Sequence, residues 1–561
     1  MAGDATRKFW AVVCGFAVLL TAGALTAQEA PTDTAVSQQT QKINEQVAAG
    51  WKEHGIKPSG LATDGEWCRR VFLDVIGRIP TTGELDEFLK SRDKQKRDKL
   101  VQKLIFDEEY TEEYARNWTT LWTNILIGRS GGTERRTLIN RGGMQKYLRD
   151  SFARNKPYDQ MVHELITAKG TTKPGADTFN GAVNFLIMKV NEEKASLATA
   201  ASARIFMGVQ VQCTQCHNHP FNSWKQRKFW EFNSFLRQTR ALRRYKSGTR
   251  DVEFAELVDE DFGGEGGSPE EAEIYFELRN GLLKAAYPVF LDGTEIGRSG
   301  FVEDVNRRDE LGKLIVQSSY MPRALVNRMW AHFLGYGFTK PIDDMGPHTS
   351  PTHPELLDYL AEEFQRHSFD LKIMMQWIVL SKPYALSSRT NSTNVAIDDP
   401  LMGESPKFSR FYLRQMRAEE LYESLIVATE ADRSQGNYAA QEKVKSEWLG
   451  QFVIAFGNDE GTEMTTFNGT IPQVLMMFNG GLIKKAMDTK SAGVLGKVIA
   501  SREPIKKQIE YLYLAGMSRK PSRDELGWSA QLIRYHKGDT NKALQDVWWS
   551  ILNSNEFIFN H

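Results

Sequence analysis

Two of the chain's four cysteines and two of its ten histidines fall in one short stretch, VQCTQCHNHPFNSW: Cys213, Cys216, His217 and His219. Thiols and imidazoles attach haem, ligate zinc or iron, and form or exchange disulfides. Cys-x-x-Cys-His is the attachment pattern of haem c. The two thiols would bond to the haem vinyl groups, and His217 follows at the position of the proximal iron ligand. His219 lies too close to His217 to reach the opposite haem face. It suits a second reading, in which Cys213, Cys216, His217 and His219 bind a bare zinc or iron ion. A Cys213–Cys216 disulfide is a third reading, and it leaves both histidines without a task.

A further ligand is expected from the C-terminal half. In SPTHPELLDYL, Thr352 and Glu355 read as a capping box with Pro354 in the first helical turn, which puts His353 at a helix start. His353 is preferred over His348, in the Gly/Pro-rich loop before it, as the residue that faces the 213–219 loop across the two domains. There it would supply a sixth haem ligand or complete a metal shell. Arg328, in the apolar helix LVNRMW, is expected to pair with Asp343 or Asp344. VHELITAKG has no second histidine four residues on, so it is not a zincin, and DFGGEGGSPEE lacks the Lys-Ser/Thr of a phosphate-binding loop. Lysine plus arginine equals aspartate plus glutamate at 71 each, so no global field draws nucleic acid.

The elements around these residues read as mainly α: two helical domains with a small β-rich insertion between them. Residues 1–27 carry Arg7 and Lys8, an apolar run and then small residues, the layout of a signal peptide. They imply a periplasmic, secreted or cell-envelope protein with no transmembrane domain once the signal is cleaved. Residues 28–60 read as a tether, 61–240 as a helical domain carrying the cysteines, 241–300 as short strands, and 301–561 as a second helical domain. NEEKASLATAASARIFMG delivers the chain to the cysteines, and NSWKQRKFWEFNSFL leaves them as a helix capped by Asn222 or Ser223. The basic stretch RQTRALRRYK reads as a solvated helix face, and Met476 and Met477 as core. One internal echo, GRIPTTGEL and SRKPSRDEL, shares Arg-x-Pro-Thr/Ser-x-x-Glu-Leu after an apolar helix, and suggests a duplicated helical hairpin.

RRVFLDVIGRIPTTGELDEFL, GVQVQCTQCHNHPFNSW, LVNRMWAHFLGYGFTKPIDDMG, SPTHPELLDYLAEEF and LNSNEFIFNH together resemble the planctomycete two-domain family. Its first domain is named as cytochrome-c-like, and its second is a domain of unknown function. The resemblance implies an exported, mainly helical protein of unestablished activity, with a secreted sulfatase-like protein as a candidate partner. Two departures stand out. No additional N-terminal Cys-x-x-Cys-His domain is present, and Asn222 stands where the family pattern has aspartate, which keeps a helix cap but removes a charged ligand.

Overall fold

The computed structural model describes residues 37–132, 137–221, 224–266, 268–430, 440, 442–449, 481–490 and 493–561. The signal segment, Asn222, Ser223, Met476 and Met477 lie outside them. The described chain is mainly helical, with three small antiparallel sheets.

The tether reading fails at its second half. Gln38–Glu53 is a helix, capped by the Ser37 side chain, that buries Ile43, Val47 and Trp51 along one stripe. That stripe repeats every four residues, but polar neighbours mask it in the sequence. Two of those neighbours are themselves buried and bonded: Gln39 donates to Glu363 at 2.6 Å and Thr40 to the Trp377 carbonyl at 3.1 Å.

The connecting region holds real strands. Val252–Asp259 runs antiparallel between Gly170–Thr171 and Thr239–Tyr245, and Ile274–Glu277 pairs with Leu283–Ala286. Thr239–Tyr245 is the basic stretch expected to be helical. Its burial alternates at first, Thr239 and Ala241 inward, which is the period of a strand. Residues 287–293 form no strand, only a bridge from Val289 to Glu295.

Two apolar cores result, and they do not follow the expected domain limits. One gathers residues from Ile43 to Tyr412. The other is built from Met416 to Ile558 together with Leu73 and Ile79. The helix Asp64–Ile76 serves both, and residues 36–561 form one compact unit. Polar groups on that helix lock the junction. Asp74, fully buried, accepts from Tyr384 and from Asn560 at 2.7 Å each and pairs with Arg414. Arg69 and Arg70 are also buried. Arg69 donates to the carbonyls of Gly516 (2.8 Å) and Phe557 (2.7 Å), and Arg70 to those of Leu386 (2.9 Å) and His561 (3.1 Å). These bonds offset much of the cost of burying the two guanidinium groups, although Arg69 Nε is left without a partner.

Candidate functional site

The helix Ser196–Met207 ends at Gly208, whose φ of 63° is the left-handed C-cap conformation. Glycine is needed there for a second reason: a Cβ would sit 2.6 Å from Cε of Met345. The Met345 amide donates to the Gly208 carbonyl at 2.7 Å, so the 343–348 loop is docked on the start of the cysteine loop.

Cys213 lies in a 3-10 turn, Gln212–Gln215, that buries Thr214 and leaves Cys213 and Cys216 exposed as free thiols. Thr214 Oγ1 closes the turn on the Val211 carbonyl at 2.6 Å. From below, Trp230 Nε1 and Gln226 Nε2 each donate to the Gln215 carbonyl at 3.1 Å. Gln226 also donates to the Glu277 carbonyl at 2.9 Å, which ties the turn to the Ile274–Glu277 hairpin. The return is fixed by His219 N to Trp224 O (2.8 Å) and Gln226 N to Asn218 Oδ1 (3.0 Å). The following helix is Gln226–Asn233, with Lys225 at its N-cap, and Phe229 and Phe232 point into the core. The four residues are therefore on one loop between two helices, as expected, but the thiols face outward rather than into a pocket. A cavity of about 480 Å³ lies beside the turn, lined by Gln210, Val211, Gln212, Arg204, Asp343 and small helix residues.

The histidines are oriented differently from one another. His217 Nδ1 is 2.6 Å from the Asn218 carbonyl, which fixes the tautomer that protonates Nδ1 and presents Nε2. His219 Nδ1 accepts from the Phe221 amide at 3.2 Å. Across from it stands His348, ring centroid to ring centroid 5.0 Å, whose Nε2 is 3.0 Å from Asp344 Oδ2. Partial burial, and then the neighbouring His348, lower the His219 pKa below the ordinary imidazole value.

The second-half histidine at the loop is thus His348, not His353. His353 is the N-cap of Pro354–Arg366, so the Thr352 capping box does not form. Its ring packs on Phe408 (5.6 Å) and Phe338 (6.2 Å), and its Nε2 would be 3.1 Å from a Cβ on Gly50. The turn 349–352 carries the chain from one place to the other, so four residues separate two environments. Nothing in residue type distinguished the two histidines. The usable signal was position: Asp344 precedes His348 by four residues, a spacing that lets the carboxylate reach the ring.

Asp343 bonds Gln210 at 3.1 Å and Arg204 at 3.4 Å. Arg328, expected as its partner, is half-buried and feels the Asp343 charge; the contacts of Asp343 go to the cysteine-loop side instead. Among the described residues no three His, Cys, Asp or Glu side chains converge so as to hold a metal ion. No described helix is long and apolar enough to cross a membrane.

Residues 42–241 match the family model PSCyt2, described as a protein of unknown function (DUF1549). Residues 307–448 match PSD1, described as a protein of unknown function (DUF1553). The cysteine loop falls in the first match, and Asp343, His348 and His353 fall in the second. No curated protein and no solved structure matches the chain.

Proposed function

The chain belongs to the two-domain family that joins PSCyt2 to PSD1, and for this member we propose a non-catalytic binding protein of the periplasm or cell envelope. In this reading the 213–219 loop is a structural corner that presents a contact surface. The observation that supports it is that the loop is held on both sides by the protein's own hydrogen bonds, through Gln226, Trp230 and Trp224. Apolar side chains stand exposed around it: Phe221 at 79%, and Leu283, the strand partner of Glu277, at 66%. Exposed apolar groups beside a rigid polar frame suit a protein partner, for which the resemblance offers a secreted sulfatase-like protein. The export pattern of residues 1–27 supports the location.

A second reading, covalent haem c, is favoured by one specific observation. Cys213 and Cys216 are accessible on one turn, and His217 has its Nδ1 engaged and its Nε2 available. These three residues fit attachment, with Cys213 and Cys216 as anchors and His217 as proximal ligand; haem so held supplies one-electron transfer. His219 and His348 stand on the neighbouring side, where their rings would shape access to such a group. Zinc or iron on Cys213, Cys216, His217 and His219 would require these side chains to turn toward one point.

One experiment decides. The protein is purified from a periplasm competent for haem maturation, and its spectrum and metal content are recorded. The binding reading expects a folded protein with neither a Soret band that survives acid–acetone extraction nor stoichiometric zinc or iron. A surviving band that is lost in Cys213→Ser and Cys216→Ser overturns it in favour of haem c. Stoichiometric metal lost in His219→Ala overturns it in favour of a metal centre.

A further inference from the structure

The helix Gln38–Glu53 turns the face bearing Gln46, Gly50 and Glu53 toward the start of Pro354–Arg366. Between them lies a cleft of about 530 Å³, closed on the third side by Ser405 and Lys407. Its size falls in the range of small-molecule sites, roughly 300–1,000 Å³. The cleft joins residues from both family matches and uses none of the 213–219 loop.

Its walls are fixed before any ligand arrives. Trp51 Nε1 donates to the Lys407 carbonyl at 2.8 Å, and the Lys407 amide donates to Asp398 Oδ1 at 2.8 Å. The Phe408 amide donates to the Tyr412 hydroxyl at 2.8 Å. His353 is clamped between Phe338 and Phe408, with Nδ1 3.1 Å from Thr352 Oγ1. Burial, and then the nearby Lys407, lower its pKa to about 4, so the ring is neutral at physiological pH. Gly50 keeps the space in front of the ring open, since a Cβ there would come within 3.1 Å of Nε2.

We propose that this cleft binds a neutral, polyhydroxylated ligand: a sugar residue of a saccharide. The chemistry of the rim selects that class. Glu53 and Glu355 accept hydrogen bonds, Lys407 donates, and Gln46, Ser405 and the neutral His353 imidazole do both. A hydroxyl both donates and accepts, so neighbouring hydroxyls can satisfy such a mixed rim. Glu53 and Glu355 stand with Lys407 and His54 in one lining, so a charged group that pairs with one sign is held close to the opposite one. This deepens the binding reading by naming a ligand class and a place, and the spectral test of the 213–219 loop is independent of it.

The test is calorimetric titration of the full chain with cellobiose, maltose and xylobiose, and with glucuronate and glucosamine as charged probes. At least one neutral disaccharide should bind, about fivefold or more tighter than either charged probe. Gly50→Val, which fills the cleft, should abolish that binding. Lys407→Ala and Glu53→Gln should each weaken it about fivefold. Lys407 and Glu53 lie on the rim, so their variants decide the matter if Gly50→Val does not fold. Absence of binding to all three disaccharides overturns the proposal, as does binding unchanged in the rim variants or preference for a charged probe.

Discussion

The hairpins at residues 77–85 and 518–526 use the same clamp in two settings. In the first, Arg78 bridges both oxygens of Glu84 at 2.8 Å each, donates to Glu113 at 3.0 Å and to the Ile79 carbonyl at 3.0 Å, and lies over Phe72. In the second, Arg519 bridges Glu525 at 2.7 and 2.8 Å, pairs with Glu556, donates to the Lys520 carbonyl at 3.1 Å, and lies over Tyr513. Each glutamate also completes a capping box, with Thr81 or Ser522. The two hairpins touch: Thr82 Oγ1 is 3.1 Å from the Tyr511 hydroxyl, and a Cβ on Gly65 would be 2.2 Å from the Ser518 carbonyl. The settings differ in depth. The Arg78 side chain is 10% exposed, that of Arg519 34%. The same chemistry therefore holds the junction of the two cores in one case and the rim of one core in the other.

That difference is open to measurement. The largest effect is expected from Arg78→Ala, which strands Glu84 and Glu113 beside a core. About 3 kcal/mol should be lost in urea denaturation, and a loss no greater than that of the Arg519 variant would erase the distinction. Arg519→Ala should cost about 1 kcal/mol, because water can reach the two carboxylates it leaves behind. Acid should act on both. Burial opposes ionisation of Glu84, but Arg78, the Thr81 amide and Tyr110 outweigh it and hold its pKa at about 2. Glu525 is held at about 2 by Arg519 first, despite burial, with help from Ser522. Both lie below the ordinary glutamate value, so their stabilisation is complete above about pH 4.5 and is lost as pH falls toward 2. A thermal melting series over that interval should flatten when both glutamates are changed to glutamine, and an unchanged slope would place the acid sensitivity elsewhere. The smallest effect concerns the C-caps. Gly77 and Ser518 both have positive φ, at 78° and 55°. Ser518→Gly should stabilise by about 0.5–1 kcal/mol, a gain of less than about 1 °C in melting temperature for so long a chain. No gain would mean that the serine conformation costs nothing there.

Much of this architecture was legible because it is local. The capping boxes, the shared Arg-x-Pro pattern and the helix–loop–helix around Cys213 and Cys216 depend on residues a few positions apart. What depends on distant partners was not. No local pattern marks Arg69, Arg70, Arg307 and Arg308 as interior, yet all four are buried, donating to backbone carbonyls or, for Arg308, also clasping Asp259. Residues 38–53 read as a tether because only three apolar residues mark their buried stripe. His353 was preferred to His348 because the family resemblance includes the stretch HPELLD around it. The meeting of His219 with His348 is not visible in sequence, since it rests on the docking of Met345 on Gly208, more than a hundred residues away.

The pairing of Asn560 with Asp74 and of Arg70 with the His561 carbonyl carries a consequence for biosynthesis. The helix Asp64–Ile76 leaves the ribosome early, but these two partners of its buried acid and base lie 486 and 491 residues further along the chain. Until they arrive, Asp74 and Arg70 favour water over burial, so the early helix cannot settle into its final packing. The final packing of that helix therefore waits on contacts made across most of the chain. A tag fused directly after His561 would crowd this late-closing joint, whereas a long flexible spacer would leave it free to shut.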